Sequence, residues 1–484
     1  MKLKNLIQNI DNVTITGDPE VEITSIQHDS RKVGNGSLFV AVKGYRFDGD
    51  TYIPKAVENG AAAVMTGESR NGIGVPVVHV QDIRKSMALI ADRFYSSPQE
   101  ALVMAGITGT NGKTTTSYMV RSIIETGGLG CGLIGTIRHL VGNREILAVN
   151  TTPEASDIHA SLADMVIAGQ SACVMEVSSH ALFLSRVHGI RFRAVALTNI
   201  TRDHLDFHGT FEEYLAAKSI LFSGLSGDST AVVNSDDPSS GHIIDVARDG
   251  KILTYGFDSL SDIRPLKYDL TPSGSTFEFT TPSGTFGGTL PIPGRFNISN
   301  AMAATGIGIA CGFPLDVIAH GLETLDPVSG RYELVDEGQD FAVIVDYAHT
   351  PDALERILSS VRELTTGRLL SVFGCGGDRD NGKRPMMGEA SARIADISVV
   401  TSDNPRSEEP TAIINDIVKG IPSGTSYEVI PDREEAIARA IKLAESGDAI
   451  VIAGKGHEDY QIINGKKYHF DDAEIARKYL GNAT

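Results

Sequence analysis

The stretch that most constrains this chain is Gly106-Ile107-Thr108-Gly109-Thr110-Asn111-Gly112-Lys113-Thr114-Thr115-Thr116. An apolar run, Ala101 to Ala105, precedes it and reads as a short buried strand. An apolar run at helical spacing follows it (Tyr118, Met119, Val120, Ile123, Ile124). Strand, glycine-rich loop and helix in that order build a cradle for phosphate. Backbone N–H groups and the helix N-terminus face the anion, Lys113 reaches terminal phosphates, and the hydroxyl after it can hold Mg²⁺. The strict pattern G-x-x-x-x-G-K-[ST] wants glycine at 107, whereas here the glycines stand at 106 and 109. The alternative is a chance Gly-Lys-Thr turn, against which the flanking strand and helix weigh.

With 484 residues the chain exceeds what one hydrophobic core holds, so about three domains are expected. A hydrophobic content of 41% with 21% charged residues is that of a soluble globular protein. The formal charge of −18, with no long Lys/Arg block, argues against a general binder of nucleic acid or anionic membrane. Cys131, Cys173, Cys311 and Cys375 form no C-x-x-C pair and read as buried free thiols in a reducing cytosol. The first ten residues lack a signal-peptide core, and no run of eighteen apolar residues exists. A cytoplasmic location follows as the expectation.

Residues 1–97 read as a small N-terminal α/β domain. Strands are expected over Val21–Ile26, Ser37–Val42, Ala61–Met65 and Val75–Val80, and helices over Tyr52–Asn59 and Ile83–Tyr95. His28 to Lys32, with Ser30, form a loop that is either a polar turn or a ligand loop. Ser96-Ser97-Pro98 is a linker. Residues 98–328 form the central domain. Strand-like runs there end in Glu176-Val177-Ser178-Ser179-His180, in Thr201-Arg202-Asp203-His204-Leu205-Asp206 and in Ser235-Asp236-Asp237-Pro238. Strands separated by helical patterns indicate a doubly wound parallel sheet, which binds ligands at the carboxyl ends of its strands. Residues 251–290 alternate as an antiparallel β insert. A boundary near Leu325 to Gly330 opens the third domain, 329–484, again doubly wound and Rossmann-like. The fold class is therefore α/β in three domains.

Several polar residues admit two readings. Glu176 is either a carboxylate for the Mg²⁺ of Mg-ATP or a capping or ion-pairing glutamate. His204 is either a metal ligand or a hydrogen-bonded turn histidine. Lys218, in a good helix, reads on composition as a solvated lysine. In the third domain four strands end in polar loops: Asp346-Tyr347-Ala348-His349-Thr350-Pro351, Gly374 to Asp380, Ser402 to Pro410, and Gly454 to Glu458. Arg379 offers a planar fork for phosphate or carboxylate. Asp403-Asn404-Pro405-Arg406 with Glu408 and Glu409 combines an anion fork with ammonium acceptors, which suits a zwitterionic amino acid.

Together these motifs resemble the Mur ligases, the ATP-dependent amide-forming enzymes of peptidoglycan precursor synthesis, over essentially the whole chain. Gly-x-x-Gly-Thr-Asn-Gly-Lys-Thr at 106–114 is similar to that family's own phosphate loop, shared with folylpolyglutamate synthases. Asn150-Thr151-Thr152-Pro153, Glu176 to His180, Arg202 to Asp206, Asp346 to Pro351 and Gly454 to Tyr460 are similar to the branch that adds a third residue to UDP-N-acetylmuramoyl-L-alanyl-D-glutamate.

The resemblance implies an acid–amino-acid ligase. ATP phosphorylates the D-glutamyl carboxylate, and an incoming amine attacks the acyl phosphate. It implies ATP at Gly109, Thr110, Asn111, Gly112, Lys113, Thr114, Thr115, Asn297, Arg331, Asp346 and His349. Mg²⁺ is implied at Thr114 and Glu176, with a second ion at His204 and Lys218. Lys218 in this family carries a CO₂-derived carbamate, which turns its cation into a carboxylate. Lys113, Glu176, His204 and Lys218 are the implied catalytic set. The UDP-linked dipeptide falls to Ser30, Asn150, Thr151, Thr152, Ser178, Arg186 and Lys218. The amino acid falls to Arg379, Asp403, Asn404, Pro405, Arg406, Gly454 and Glu458. Asp-Asn-Pro-Arg resembles the enzymes that use meso-diaminopimelate, whose far carboxylate Arg406 can grip in a bidentate pair. Leu184 stands where some relatives have a glutamine that contacts the substrate, so that one hydrogen bond to the UDP-substrate is not implied here. The resemblance also implies a monomer, with no nucleic-acid or membrane partner, serving cell-wall growth, cell shape and division. The alternatives are the same ligase adding L-lysine, a folylpolyglutamate synthase-like ligase, and a nucleotide-switched binding ATPase.

Overall fold

The computed structural model describes residues 1–44, 48–68, 70 and 72–481; the end of the expected third domain, 482–484, lies outside them. Among the described residues a five-stranded sheet comes first, in the order Thr14–Thr16, Val77–His79, Ala61–Thr66, Ser37–Val40, Ser25–Gln27. It is parallel except for its first strand. The expected strand over Val21–Ile26 is shorter, because residues 21 and 23 hydrogen-bond to Leu3 and Met1 at the start of the chain instead.

Among the described residues the second sheet has eight strands. Their order is Lys251–Tyr255, Thr230–Asn234, Ala194–Leu197, Val103–Thr108, Ala172–Glu176, Cys131–Ile134, Arg138–Val141, Arg144–Leu147. The phosphate-loop strand is central, with Ala172–Glu176 on one side and Ala194–Leu197 on the other, both parallel to it. Alternate residues serve opposite cores. Ala105, Ile107 and Val174 join one apolar cluster, and Met104, Cys173 and Met175 join the other. Helices cover both faces, which is why these strands are apolar throughout. The expected antiparallel insert over 251–290 is two elements. Lys251–Tyr255 is a parallel edge strand, with Leu253 and Tyr255 in the core. The insert proper is the sheet Arg264–Thr271, Gly274–Thr281, Gly284–Leu290.

The third sheet, six-stranded among the described residues, runs Glu333–Leu334, Ala342–Asp346, Ala449–Ala453, Leu369–Phe373, Ile397–Val400, Tyr427–Val429. It too is covered on both faces: Leu369 and Phe373 pack in one cluster, Leu370 and Val372 in the other. Its inner strands are parallel, so the four polar loops named above leave one edge together. A hairpin, Tyr460–Ile463 with Lys466–His469, closes over that edge. Among the described residues no helix is long and apolar enough to cross a membrane.

Candidate active site

The phosphate loop owes its shape to two glycines. Gly109 lies at φ +150°, and a Cβ there would meet Thr198 Oγ1 at 1.8 Å. Gly112 lies at φ +84°, with Asn300 Oδ1 at 2.4 Å from a Cβ. The helix Lys113–Thr126 that follows has no side-chain cap, which leaves first-turn N–H groups for an anion. Lys113 folds back so that its Nζ donates to the carbonyls of Gly109 at 2.9 Å and Thr110 at 2.8 Å. Burial depresses the Lys113 pKa, with Glu176 opposing that effect.

Glu176, at the end of its strand, is 0% exposed and accepts from neutral donors. Thr114 Oγ1 lies at 3.0 Å, Thr136 Oγ1 at 2.8 Å and the Thr136 N–H at 2.9 Å. A buried carboxylate bound by neutral groups beside a phosphate loop fits a cation. One carboxylate and one hydroxyl suit Mg²⁺, which completes its shell with phosphate oxygens and water. Among the described residues no three His, Cys, Asp or Glu side chains gather as a metal cluster.

Lys218, in the helix Phe211–Ser223, is buried, contrary to the solvated reading. Its Nζ donates to the Gly109 carbonyl at 2.8 Å, the same oxygen that Lys113 uses. Burial, and then the charge of Lys113, push its pKa far down. His204 begins a short helix at φ +54°, with Nε2 at 3.3 Å from Asp203 Oδ2 and its ring edge-on to His180 at 4.7 Å. Burial lowers the His204 pKa, and Asp203 opposes it.

The third domain closes the cavity, which measures about 270 Å³ and lies between the phosphate loop, His204, Arg331, Asp346 and His349. Arg331 Nη2 donates to Thr114 Oγ1 at 3.2 Å, and its guanidinium lies over the Tyr347 ring at 4.5 Å. Asp346 accepts the N–H groups of Tyr332 and Ala348 at 2.8 and 2.9 Å, and burial raises its pKa. His349 Nδ1 lies 2.9 Å from the Tyr347 carbonyl, and burial pushes the ring down to about 4. Asn297 does not line the cavity: its amide donates to Pro293 O at 2.7 Å, and it accepts from Asn300, which does line it.

Of the residues expected at a UDP-substrate, Thr151, Thr152, Ser178 and Arg186 gather beside Glu176. Thr151 Oγ1 lies 3.1 Å from Thr136 Oγ1, and the buried Thr152 donates to Glu176 O at 2.8 Å. The Ser178 N–H donates to Thr152 Oγ1, and Ser178 Oγ caps its own helix at Ala181 N. Arg186 donates to Thr152 O at 2.9 Å and pairs with Glu154 at 2.7 Å. Glu154 pairs also with Arg84 of the first domain at 3.1 Å. Asn150 is exposed, and Leu184 caps the end of the Ser179–Phe183 helix through its backbone. Ser30 lies in the first domain, its carbonyl held by Asn59 at 2.9 Å.

The expected amino-acid residues meet at the edge of the third sheet. Asp403 is 6% exposed, and its Oδ1 has no hydrogen-bond partner among the described residues. Asn404 donates to Glu458 Oε2 at 2.7 Å and accepts from Ile462 N at 2.9 Å. Burial and then Asp403 raise the Glu458 pKa. Gly454, at φ +120°, passes close to Asp403 Oδ2. Pro405 leads into Arg406, which sits at φ +54° and donates from Nη1 to Gly377 O at 2.6 Å. Arg379 is exposed, its Nη1 on Asp378 O at 3.1 Å. The arrangement offers a phosphate cradle on one side and, on the other, carboxylates for ammonium beside guanidinium for carboxylate. Sequence reasoning missed Thr136, Asn300 and Tyr347 as cavity residues; Thr136 had the one signal used elsewhere, a polar residue just past a buried strand.

Three family models match: "Mur ligase family, catalytic domain" over residues 22–95, "Mur ligase middle domain" over 107–308 and "Mur ligase, glutamate ligase domain" over 330–456. The chain is 47% identical to the UDP-N-acetylmuramoyl-L-alanyl-D-glutamate--2,6-diaminopimelate ligase of Bacillus licheniformis, over 99% of each. A solved structure under the same ligase name superposes with a TM-score of 0.70 at 34% identity, covering 100% of this chain and 99% of that one. A folylpolyglutamate synthase of Mycobacterium tuberculosis, solved with ADP and AMPPCP, reaches a TM-score of 0.65 at 19% identity. It covers 81% of this chain and 94% of that one, and shows likeness of fold.

Proposed function

The chain belongs to the Mur ligase family, and from that membership we infer that it is an ATP-dependent ligase joining 2,6-diaminopimelate to UDP-N-acetylmuramoyl-L-alanyl-D-glutamate. The observation that carries this reading is likeness to ligases of that name along the whole chain, in sequence and in structure. The domain limits 1–97, 98–328 and 329–484 belong to the same proposal. They are supported by the change of sheet after the helices Ile83–Phe94 and Leu315–Glu323.

In this reading the first-turn N–H groups and Lys113 hold ATP phosphates, with Arg331, Asp346 and His349 closing on the nucleotide. Thr114 and Glu176 would hold Mg²⁺, and His204 with Lys218 a second ion. When bound, the metal neutralises phosphate charge. Lys218 is suited to carbamate formation because burial and Lys113 favour its neutral amine. That amine adds to CO₂, a C–N bond forms, and a proton leaves. Ser30, Asn150, Thr151, Thr152, Ser178 and Arg186 place the D-glutamyl carboxylate toward the γ-phosphate. The acyl phosphate then meets the amine of meso-diaminopimelate. Asp403 Oδ1 and Glu458 accept from ammonium, and Arg379 and Arg406 grip carboxylates. Lysine has no far carboxylate, so the part of the Arg406 fork not bound to Gly377 O would go without an anion. The enzyme acts as a cytoplasmic monomer in cell-wall growth and division.

The test is phosphate release with ATP, Mg²⁺ and the UDP-linked dipeptide, with meso-diaminopimelate or L-lysine added in parallel. Release with diaminopimelate alone is expected. Release with lysine instead keeps the ligase and overturns the reading of Arg406. Release that ignores both amino acids returns the chain to the ATPase class.

A further inference from the structure

One carboxylate joins the third domain to the phosphate loop. Asp352 stands in the first turn of the helix Pro351–Leu364. Its Oδ2 accepts the side-chain amide of Asn111 at 2.8 Å and the hydroxyl of Thr201 at 3.3 Å. Arg356, one turn along the same helix, lies 2.9 Å from that oxygen. Asn111 is at the centre of the phosphate loop, and Thr201 is three residues before His204. Asp352 is not part of the cavity wall, although Ala353, Arg356 and Ile357 after it are.

The main chain of Asn111 does not depend on this contact. Its N–H donates to Asn199 Oδ1 at 3.1 Å. Its carbonyl accepts from Thr198 Oγ1 at 2.6 Å and from Asn199 Nδ2 at 3.1 Å. All these partners lie in the central domain. The shape of the phosphate cradle is thus set within that domain, and the Asn111 side chain is left to reach across to the third.

We propose that Asp352 is a positioning residue: a latch that docks the third domain, and the amine it carries, onto the loaded phosphate loop through Asn111 and Thr201. The proposal rests on the ligase reading, because only a reaction between groups held by two domains needs them docked. A carboxylate on two neutral donors is suited to the task. Ionisation strengthens each hydrogen bond. At 34% side-chain exposure, water tempers the contact, so it can open for product release. The contact also spans both parts of the central site, the loop that holds phosphate and the segment that leads to His204.

The plain alternative is that Asp352 serves its own helix, as an acid in the first turn paired with Arg356. The variants Asp352→Ala and Asp352→Asn separate the two. Asparagine keeps an oxygen that can accept from Asn111 and Thr201 but loses the charge that favours the helix dipole and Arg356. For Asp352→Ala the latch predicts a kcat for ligation lowered roughly tenfold or more, the scale of one charge-assisted hydrogen bond. It predicts affinity for a non-hydrolysable ATP analogue, measured without other substrates, within about twofold, because the cradle is intact. Asp352→Asn, which keeps the acceptor and loses the charge assistance, recovers part of kcat. Thr201→Val, which removes one donor from the other side of the contact, lowers kcat by a smaller factor and serves if the alanine variant does not fold. Wild-type kcat in Asp352→Ala overturns the latch, and so does Asp352→Asn as slow as Asp352→Ala. Loss of nucleotide affinity equal to the loss of kcat overturns it too. An inactive wild type would instead overturn the ligase reading, and the latch with it.

Discussion

Two lysines on one carbonyl oxygen, Lys218 buried and Lys113 half-buried, set the charge problem at the scale of single residues. Lys113 and Lys218 both donate to Gly109 O, and burial disfavours the ammonium form of each. If Lys218 works as a carbamate, its anion relieves the crowding of positive charge and adds an acceptor near His204. Lys218→Ala is then expected to lose activity about a hundredfold or more, the scale of one charge-stabilising group in an active site. A short carboxylate such as acetate restores part of it, and wild-type activity falls in CO₂-depleted buffer and returns with bicarbonate. Full activity of the plain variant removes the role. Lys218 was illegible in its own neighbourhood, where the helix reads as ordinary. Its significance comes from an oxygen 109 positions away, and contiguous sequence does not express that. Thr136 had a local signal, its place just past a buried strand, but the carboxylate it serves is 40 positions on. The phosphate loop was legible because its strand, its glycines and its lysine are consecutive.

At the scale of elements, runs apolar on both faces gave away the parallel strands, and the loops at their ends followed. The hairpin side of the central sheet did not show itself, because the strand Arg144–Leu147 is exposed throughout and alternates nothing. Nor did the hairpin Tyr460–Ile463 with Lys466–His469, although it supports the proposed amino-acid pocket. The Arg406 N–H donates to Ile462 O and the Asn464 N–H to Arg406 O, which pins Arg406 in its left-handed backbone. From the other side two glycines make room. A Cβ at Gly376 would come 2.8 Å from Arg406 Nη1, and one at Gly377 would come 2.0 Å from Pro405 O. The second is a main-chain atom that cannot swing away. Gly377→Ala is therefore expected to raise the KM for diaminopimelate about tenfold, the equivalent of one lost charge-assisted contact, with the KM for ATP little changed. Steady-state kinetics on both substrates checks it, and equal effects would mean that the loop serves the nucleotide instead.

Over the whole molecule, buried histidines make the fold sensitive to acid. His159, fully buried where the central domain meets the helix of Asp92, has neither ring nitrogen in a hydrogen bond among the described residues, its Nδ1 lying 3.4 Å from Asp92 Oδ1. Burial pushes it down to about 4 from an ordinary 6.5, with Asp92 opposing. The folded chain thus favours the neutral ring. The stability this lends is complete above the ordinary value and is lost as pH falls from there through the folded value. At pH 5 the loss is on the order of 2 kcal/mol for this one residue. His180 and His457, both pushed down to about 3 by burial, act in the same direction. His159→Leu is expected to flatten the acid limb, so that urea midpoints at pH 7.5 and pH 5 differ less than in the wild type. An unchanged difference places the acid lability elsewhere. Three separate layered units were legible from length and from the spacing of strands, whereas their mutual contacts, such as Arg84 with Glu154 and Asn111 with Asp352, join residues too far apart in sequence to be read there. Each large sheet is built from one uninterrupted length of chain, 14–79, 103–255 and 333–453. A ribosome can therefore release them as three successive folding events. The central unit emerges with its phosphate cradle formed but with Arg331, Asp346 and His349 still unmade. If those three close on the nucleotide as proposed, the nascent chain carries a cradle it cannot yet close, and becomes competent only when its last sheet is complete.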